Sequence, residues 1–189
     1  MGIEVGTYSI AASQNTVYHY YNGIIGDFQG NSGTGAVSAN RVYDNSNAGI
    51  AVQESNVRGN IVYSNAYGIA AGGTYNADVR NNVVYANSIV GIQINANSNN
   101  GGVQYLGAVY HNTVYQPAGD ALRVLNNSPR VNVLNNIFWT LAGYDINVDP
   151  TSGLRSENCR AAAASGTPRA SQARCMARAA RSTSSLAGL

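Results

Sequence analysis

The chain has 189 residues, a formal charge of +2 and a charged fraction of 11%, less than half the rough quarter of an ordinary globular domain. Every basic residue is arginine, and so small a net charge argues against a nucleic-acid partner. No run of about 18 apolar residues exists, which excludes a membrane-spanning helix.

Polarity comes instead from Asn, Ser, Thr, Gly and Tyr. Asn and Gly are poor helix formers, so this mixture argues against a helical protein. The opening MGIEVGTYS lacks the basic-then-apolar pattern of a secretory leader. A compositional break falls near residue 153. Before it stand five Arg and eight acids; after it come six Arg against Glu157 alone, with Cys159, Cys175 and a run of four Ala.

In chain order, the first apolar element is GIEV at 2–5, followed by NTVY at 15–18 and GIIG at 23–26. The same pair of elements then recurs: NRVY at 40–43 with GIAV at 49–52, NIVY at 60–63 with GIAA at 68–71, and NVVY at 82–85 with GIQI at 91–94. NTVY at 112–115 with ALRV at 121–124 and NIFW at 136–139 with DINV at 145–148 complete the series. A period in the twenties is the mark of a solenoid. The elements are short, β-branched and alternating, and Asn, Gly and Ser separate them, which predicts strands closed by turns. Three strands and three turns fit in one coil, stacked on the next at about 4.8 Å.

The Asn that opens each NxVY element then has a physical role. A coil corner takes some residues near the left-handed region, which Asn tolerates, and its amide both donates and accepts. Asn15, Asn40, Asn60, Asn82, Asn112 and Asn136 are expected to form a structural ladder, one per coil.

Two columns are expected to face outward. In GIxV the Ile and Val point in, which leaves Glu4, Ile25, Ala51, Ala70, Gln93, Arg123 and Asn147 pointing out. In NxVY the aromatic points out if the preceding Val or Phe is buried, which stacks Tyr18, Tyr43, Tyr63, Tyr85, Tyr115 and Trp139. Such a stack stabilises the sheet, or offers flat faces to sugar rings. A one-residue slip would turn the column inward. Arg58 and Arg80 occupy equivalent places and are expected one above the other, with either a surface salt bridge to Asp78 or a uronate carboxylate as their partner. Asp120 and Asp145 begin outward strands of successive coils, as turn residues or as a glycosidase-like carboxylate pair. Neither His19 and His111 nor the two Cys show a metal-ligand spacing, so no metal is expected from the residues.

The pattern VxxNxVYxNxxxGIxV resembles the right-handed parallel β-helix repeat of the pectate-lyase-like superfamily, over roughly residues 1–150. The resemblance implies an all-β fold, a right-handed parallel β-helix of about six coils over residues 2–150. It implies an extracellular or periplasmic protein with a polysaccharide laid along an outer face, here near Ala70, Gln93, Arg123 and Asn147. Lyase or epimerase chemistry on an acidic polymer takes the proton beside a uronate carboxylate. Related lyases use Lys or Arg as the base, often beside calcium. This chain has no Lys, so the resemblance implies Arg123 as base and calcium as the cofactor, and Asp120 is the further candidate catalytic residue through its pairing with Asp145. The paired Asp and Gly-His-Gly of the superfamily's hydrolases and the Asp-Pro-His of its alginate epimerases are absent. The alternative is a non-catalytic glycan-binding or structural module of a surface or secreted protein.

The expected organisation is a β-helix over 1–152, an internal piece of a longer one, and an Arg/Ala/Ser-rich tail over 153–189. The tail resembles GC-rich coding DNA read in the wrong frame, and is expected to be disordered rather than a further coil. The oligomeric state is left open.

Overall fold

A computed structural model describes residues 1–6, 11–27, 35–53, 55–72, 78–95, 107–126, 128, 131–150, 152, 154–157 and 160–161. Its described elements are all strands. The first two coils contain β1 (Ile3–Val5), β2 (Ala11–Ser13), β3 (Thr16–Tyr18), β4 (Ile24–Asp27), β5 (Ala36–Ser38) and β6 (Arg41–Tyr43). The next two contain β7 (Ala48–Gln53), β8 (Asn56–Arg58), β9 (Ile61–Tyr63), β10 (Tyr67–Gly72), β11 (Asp78–Arg80) and β12 (Val83–Tyr85). Two more contain β13 (Val90–Asn95), β14 (Ala108–Tyr110), β15 (Thr113–Gln116), β16 (Asp120–Leu125), β17 (Val131–Leu134) and β18 (Ile137–Thr140). The last strands are β19 (Ile146–Val148), β20 (Leu154–Glu157) and β21 (Arg160–Ala161).

Every third strand joins the same sheet, and all pairings are parallel. Sheet A runs β1-β4-β7-β10-β13-β16-β19, sheet B runs β2-β5-β8-β11-β14-β17-β20, and sheet C runs β3-β6-β9-β12-β15-β18-β21. The chain is therefore a parallel β-solenoid, with GIxV elements in sheet A and NxVY elements in sheet C. The break in composition near 153 is not matched by a break in the sheets. Sheet B continues as β20 on β17 and sheet C as β21 on β18. Residues 162–189 and both Cys lie outside the described residues.

The core is three stacks of apolar side chains, mostly β-branched. Ile24, Ile50, Ile69, Ile92 and Leu122 are buried from sheet A, Val37, Val57, Val79, Val109 and Val133 from sheet B, and Val42, Val62, Val84, Val114 and Phe138 from sheet C. Each such side chain is worth roughly 1.5–3 kcal/mol when fully buried. This stacking fixes the register and sets the aromatic column of sheet C outward, since Tyr43, Tyr63, Tyr85 and Tyr115 pair successively across the strands.

The corners explain the Asn. Asn15, Asn40, Asn60, Asn82, Asn112 and Asn136 form the expected ladder, each Nδ2 donating to the next Oδ1 at 3.0 Å. Each Oδ1 also accepts the backbone N–H of the Asn one coil earlier, at 2.9–3.0 Å. The left-handed residue, however, is not the ladder Asn but the one before it: Gln14, Ala39, Gly59, Asn81, His111 and Asn135 all have φ between 51° and 64°. The reversal of φ turns the next side chain under the corner, so the ladder selects Asn for its amide and not for its tolerance of positive φ.

Corner lengths differ in kind. The connection from sheet B to sheet C is always two residues, such as 59–60 and 111–112. The connection from sheet A to sheet B ranges from two residues, 54–55, to twelve, 96–107.

Candidate functional site

Strand β16 supplies both Asp120 and Arg123. In a regular strand, residues three apart point to opposite faces. Here Ala121 and Leu122 are both buried, so the alternation breaks at the bend into sheet A and both charged side chains reach the same side. Arg123 forks Asp120 Oδ2 from Nε at 2.8 Å and from Nη2 at 2.7 Å. Asp120 is 3% exposed. It also accepts the Tyr144 backbone N–H at 3.0 Å and Asn147 Nδ2 at 2.9 Å.

The expected outward column of sheet A is in register: Ala51 beside Ala70, Ala70 beside Gln93, Gln93 beside Arg123, and Arg123 beside Asn147. It is a shallow alanine floor ending at a self-satisfied ion pair. Deprotonating Arg123 would leave Asp120 buried without its counter-charge, which opposes its use as a base. Asp145 has its own partner, accepting the Thr140 hydroxyl at 2.9 Å. Burial pushes the Asp145 carboxyl above its usual value, and the bonds from Thr140 pull it partly back.

Arg58 and Arg80 lie on sheet B, paired in register as expected, and thus on a different sheet from Gln93 and Arg123. The strand spacing places them about 4.8 Å apart along the solenoid. Asp78 does not pair with either: among the described residues the one ion pair is Asp120–Arg123. Asp78 accepts the Tyr110 hydroxyl at 3.3 Å, and Arg80 lies over the Tyr110 ring at 5.7 Å. Burial and the charge of Asp78 raise the Tyr110 phenol above its usual value, while Arg80 partly offsets them. Arg80 Nε is buried without a hydrogen-bond partner.

On sheet C the rings of Tyr18, Tyr43, Tyr63 and Tyr85 stack face to face, with centroids 4.8–5.1 Å apart and planes within 12°. The interior rings cover one another, so only edges and hydroxyls face outward. Arg41 lies beside the two interior rings, 5.5 Å from the centroids of Tyr43 and Tyr63, and donates to the Tyr63 hydroxyl at 2.8 Å. The stabilising use of this column holds for its first four rings, and their contact leaves no interior ring face for a sugar. Trp139 is tilted by 55° against Tyr115.

A second ladder escaped the sequence reading. Asn45, Asn65 and Asn87 line the corner from sheet C to sheet A: Asn45 Nδ2 donates to Asn65 Oδ1 at 2.8 Å and Asn65 Nδ2 to Asn87 Oδ1 at 3.1 Å. Gln116 continues it, its Oε1 accepting the Asn87 N–H at 2.8 Å. The signal was present as the second Asn of NxVYxN, two residues after Tyr43, Tyr63 and Tyr85. No three His, Cys, Asp or Glu side chains among the described residues are grouped to hold a metal ion. No family model, curated protein or solved structure matches the chain.

Proposed function

We propose that this chain is a polysaccharide-binding β-solenoid that favours an acidic polymer and holds it without cleaving it. The observation that carries the reading is the Arg58–Arg80 pair. The two arginines stand one coil apart, and among the described residues neither is in an ion pair; Asp78, on the same face as Arg80, is turned to the Tyr110 hydroxyl. An arginine pair so placed suits the carboxylates of a uronate chain running parallel to the solenoid axis. Absence of turnover follows from chemistry. Proton abstraction beside a uronate needs a base and a cation free to act on the substrate, whereas Asp120 and Arg123 are spent on each other. The polar residues are also divided between sheets A and B rather than gathered in one groove. Such a polymer places the protein outside the cytoplasm.

Binding to polygalacturonate, alginate and a neutral glucan, with and without calcium, tests the reading. The acidic polymers should bind tighter, with affinity falling as salt rises. Losing one charge-assisted contact costs about 1.5–3 kcal/mol, so Arg58→Gln and Arg80→Gln should each weaken binding roughly ten- to a hundredfold. Equal affinity for the neutral glucan would refute the acidic preference. Loss of binding in Gln93→Ala, with none in the arginine variants, would place the polymer on sheet A instead. Formation of unsaturated uronate product would overturn the claim of binding without cleavage.

A further inference from the structure

We infer that the outer face of sheet C is the surface through which two copies of this chain associate. Among the described residues, every exposed large hydrophobic side chain except Met1 lies on sheet C or on the turns leading from it to sheet A. Ile61, Val83 and Ile137 project from one outward column of the sheet, 44%, 44% and 51% exposed, and Tyr18 and Trp139 from the other. Tyr21, Leu141 and Tyr144 extend the patch along the adjoining turns and are more than half exposed.

From Ile61 to Tyr144, beyond the exposed Arg41 and Asp44, these side chains expose roughly 600 Å², at the top of the roughly 300–600 Å² of a typical monomer's largest patch. That is most of the ~800 Å² that each partner contributes to a standard interface.

The chemistry of the patch selects its occupant. From Ile61 to Trp139 the two outward columns of sheet C read Ile, Val, Thr, Ile and Tyr, Tyr, Tyr, Trp, with no charge. A two-fold pairing sets a surface against itself, so any charge near its centre would meet its like; this face carries none there. Arginines bound this column at both ends: Arg41, beside Ile61 in register, is folded back onto the Tyr63 hydroxyl, and Arg160 holds the position beside Ile137. The tyrosine faces are covered by their neighbours in the stack, which leaves no interior ring for a sugar. What remains is a flat, ribbed apolar surface, suited to packing against another sheet at about 10 Å. Residues 162–189 are a poor cover for it, with Met176, Leu186 and Leu189 as their large apolar side chains. The inference does not rest on the polysaccharide reading.

Sedimentation of the full chain over a concentration series, without polysaccharide, tests it. The wild type should be a dimer. Ile61→Lys and Val83→Lys, each at an exposed position and each checked for its β circular-dichroism signal, should raise the dimer Kd at least tenfold. Arg58→Gln on sheet B should leave it unchanged. A wild type that stays monomeric up to its solubility limit overturns the inference. So does a dimer that survives both folded lysine variants. If Val83→Lys instead abolishes retention on a glycan while the wild type is monomeric, the occupant is the glycan and not a second copy.

Discussion

Replacing Asn82 by alanine probes how the ladder holds the solenoid together. Its side chain makes four hydrogen bonds: Nδ2 to Asn112 Oδ1 and to the Val57 carbonyl, both at 3.0 Å, and Oδ1 from Asn60 N at 2.9 Å and Asn60 Nδ2 at 3.0 Å. Not all four losses matter equally. Asn112 Oδ1 keeps the Asn82 backbone N–H at 3.0 Å, and Asn60 Nδ2 keeps the Val37 carbonyl at 2.9 Å. The Asn60 N–H loses its partner in a site where Asn82 is 1% exposed, whereas the Val57 carbonyl stays in the parallel ladder of β8 with β11. At about 1–3 kcal/mol for the buried N–H left unpaired, with about 0.5–1.5 kcal/mol for the other amide bonds lost, Asn82→Ala should cost about 2–4 kcal/mol. Asn15 supplies the contrast. Its Nδ2 donates to Asn40 Oδ1, which keeps the Asn15 N–H, and to the carbonyl of Ser13, which is exposed and can take water. Asn15→Ala should therefore cost only about 0.5–1.5 kcal/mol. Urea unfolding followed by circular dichroism measures both, provided the slopes match. Equal costs for the two variants would refute the reasoning, because the argument rests on orphaned buried groups and not on the count of bonds removed.

Two further outcomes follow from the charged residues. Arg123→Ala leaves Asp120 buried with two hydrogen-bond donors but no counter-charge, and should cost about 3 kcal/mol in the same unfolding experiment; adding Asp120→Asn should recover most of it. Burial raises the Asp145 carboxyl, so the folded chain holds that proton more tightly than the unfolded chain does. Its contribution to stability is present below the ordinary value of 3.8 and is lost as pH rises from there through the raised folded value. Asp145→Asn should remove this decline, seen as a flatter urea midpoint from acid to neutral pH; an unchanged slope would assign the decline to other groups.

The repeat itself was legible because each coil announces its B-to-C corner with NxVY, and a two-residue corner leaves no freedom in where the next strand begins. The ladder from Asn15 to Asn136 and the outward aromatics follow from that rhythm and from burial of the intervening Val. The second ladder was written just as plainly in Asn45, Asn65 and Asn87, but its role depends on how the chain turns from sheet C into sheet A, and Gln116 breaks the pattern by residue type while keeping the amide. The Asp120–Arg123 fork was hidden for a different reason. Alternation places residues three apart on opposite faces, and only the consecutive burial of Ala121 and Leu122 brings the two together. The choice of Asp78 for Tyr110 over Arg80 is a contest between neighbouring side chains that spacing alone does not decide.

The unequal corners carry a consequence for how such a chain changes over generations. The edge between sheets B and C is pinned by an amide ladder at two residues per coil, so gaining or losing a residue there would break hydrogen bonds in the coils above and below as well, and the edge between sheets C and A varies only from three residues to five. The edge between sheets A and B already accommodates anything from two residues to twelve while the strands on either side keep their pairing. The widest length variation is thereby channelled to one edge of the solenoid. New recognition loops can be tried there, coil by coil, without renegotiating the frame.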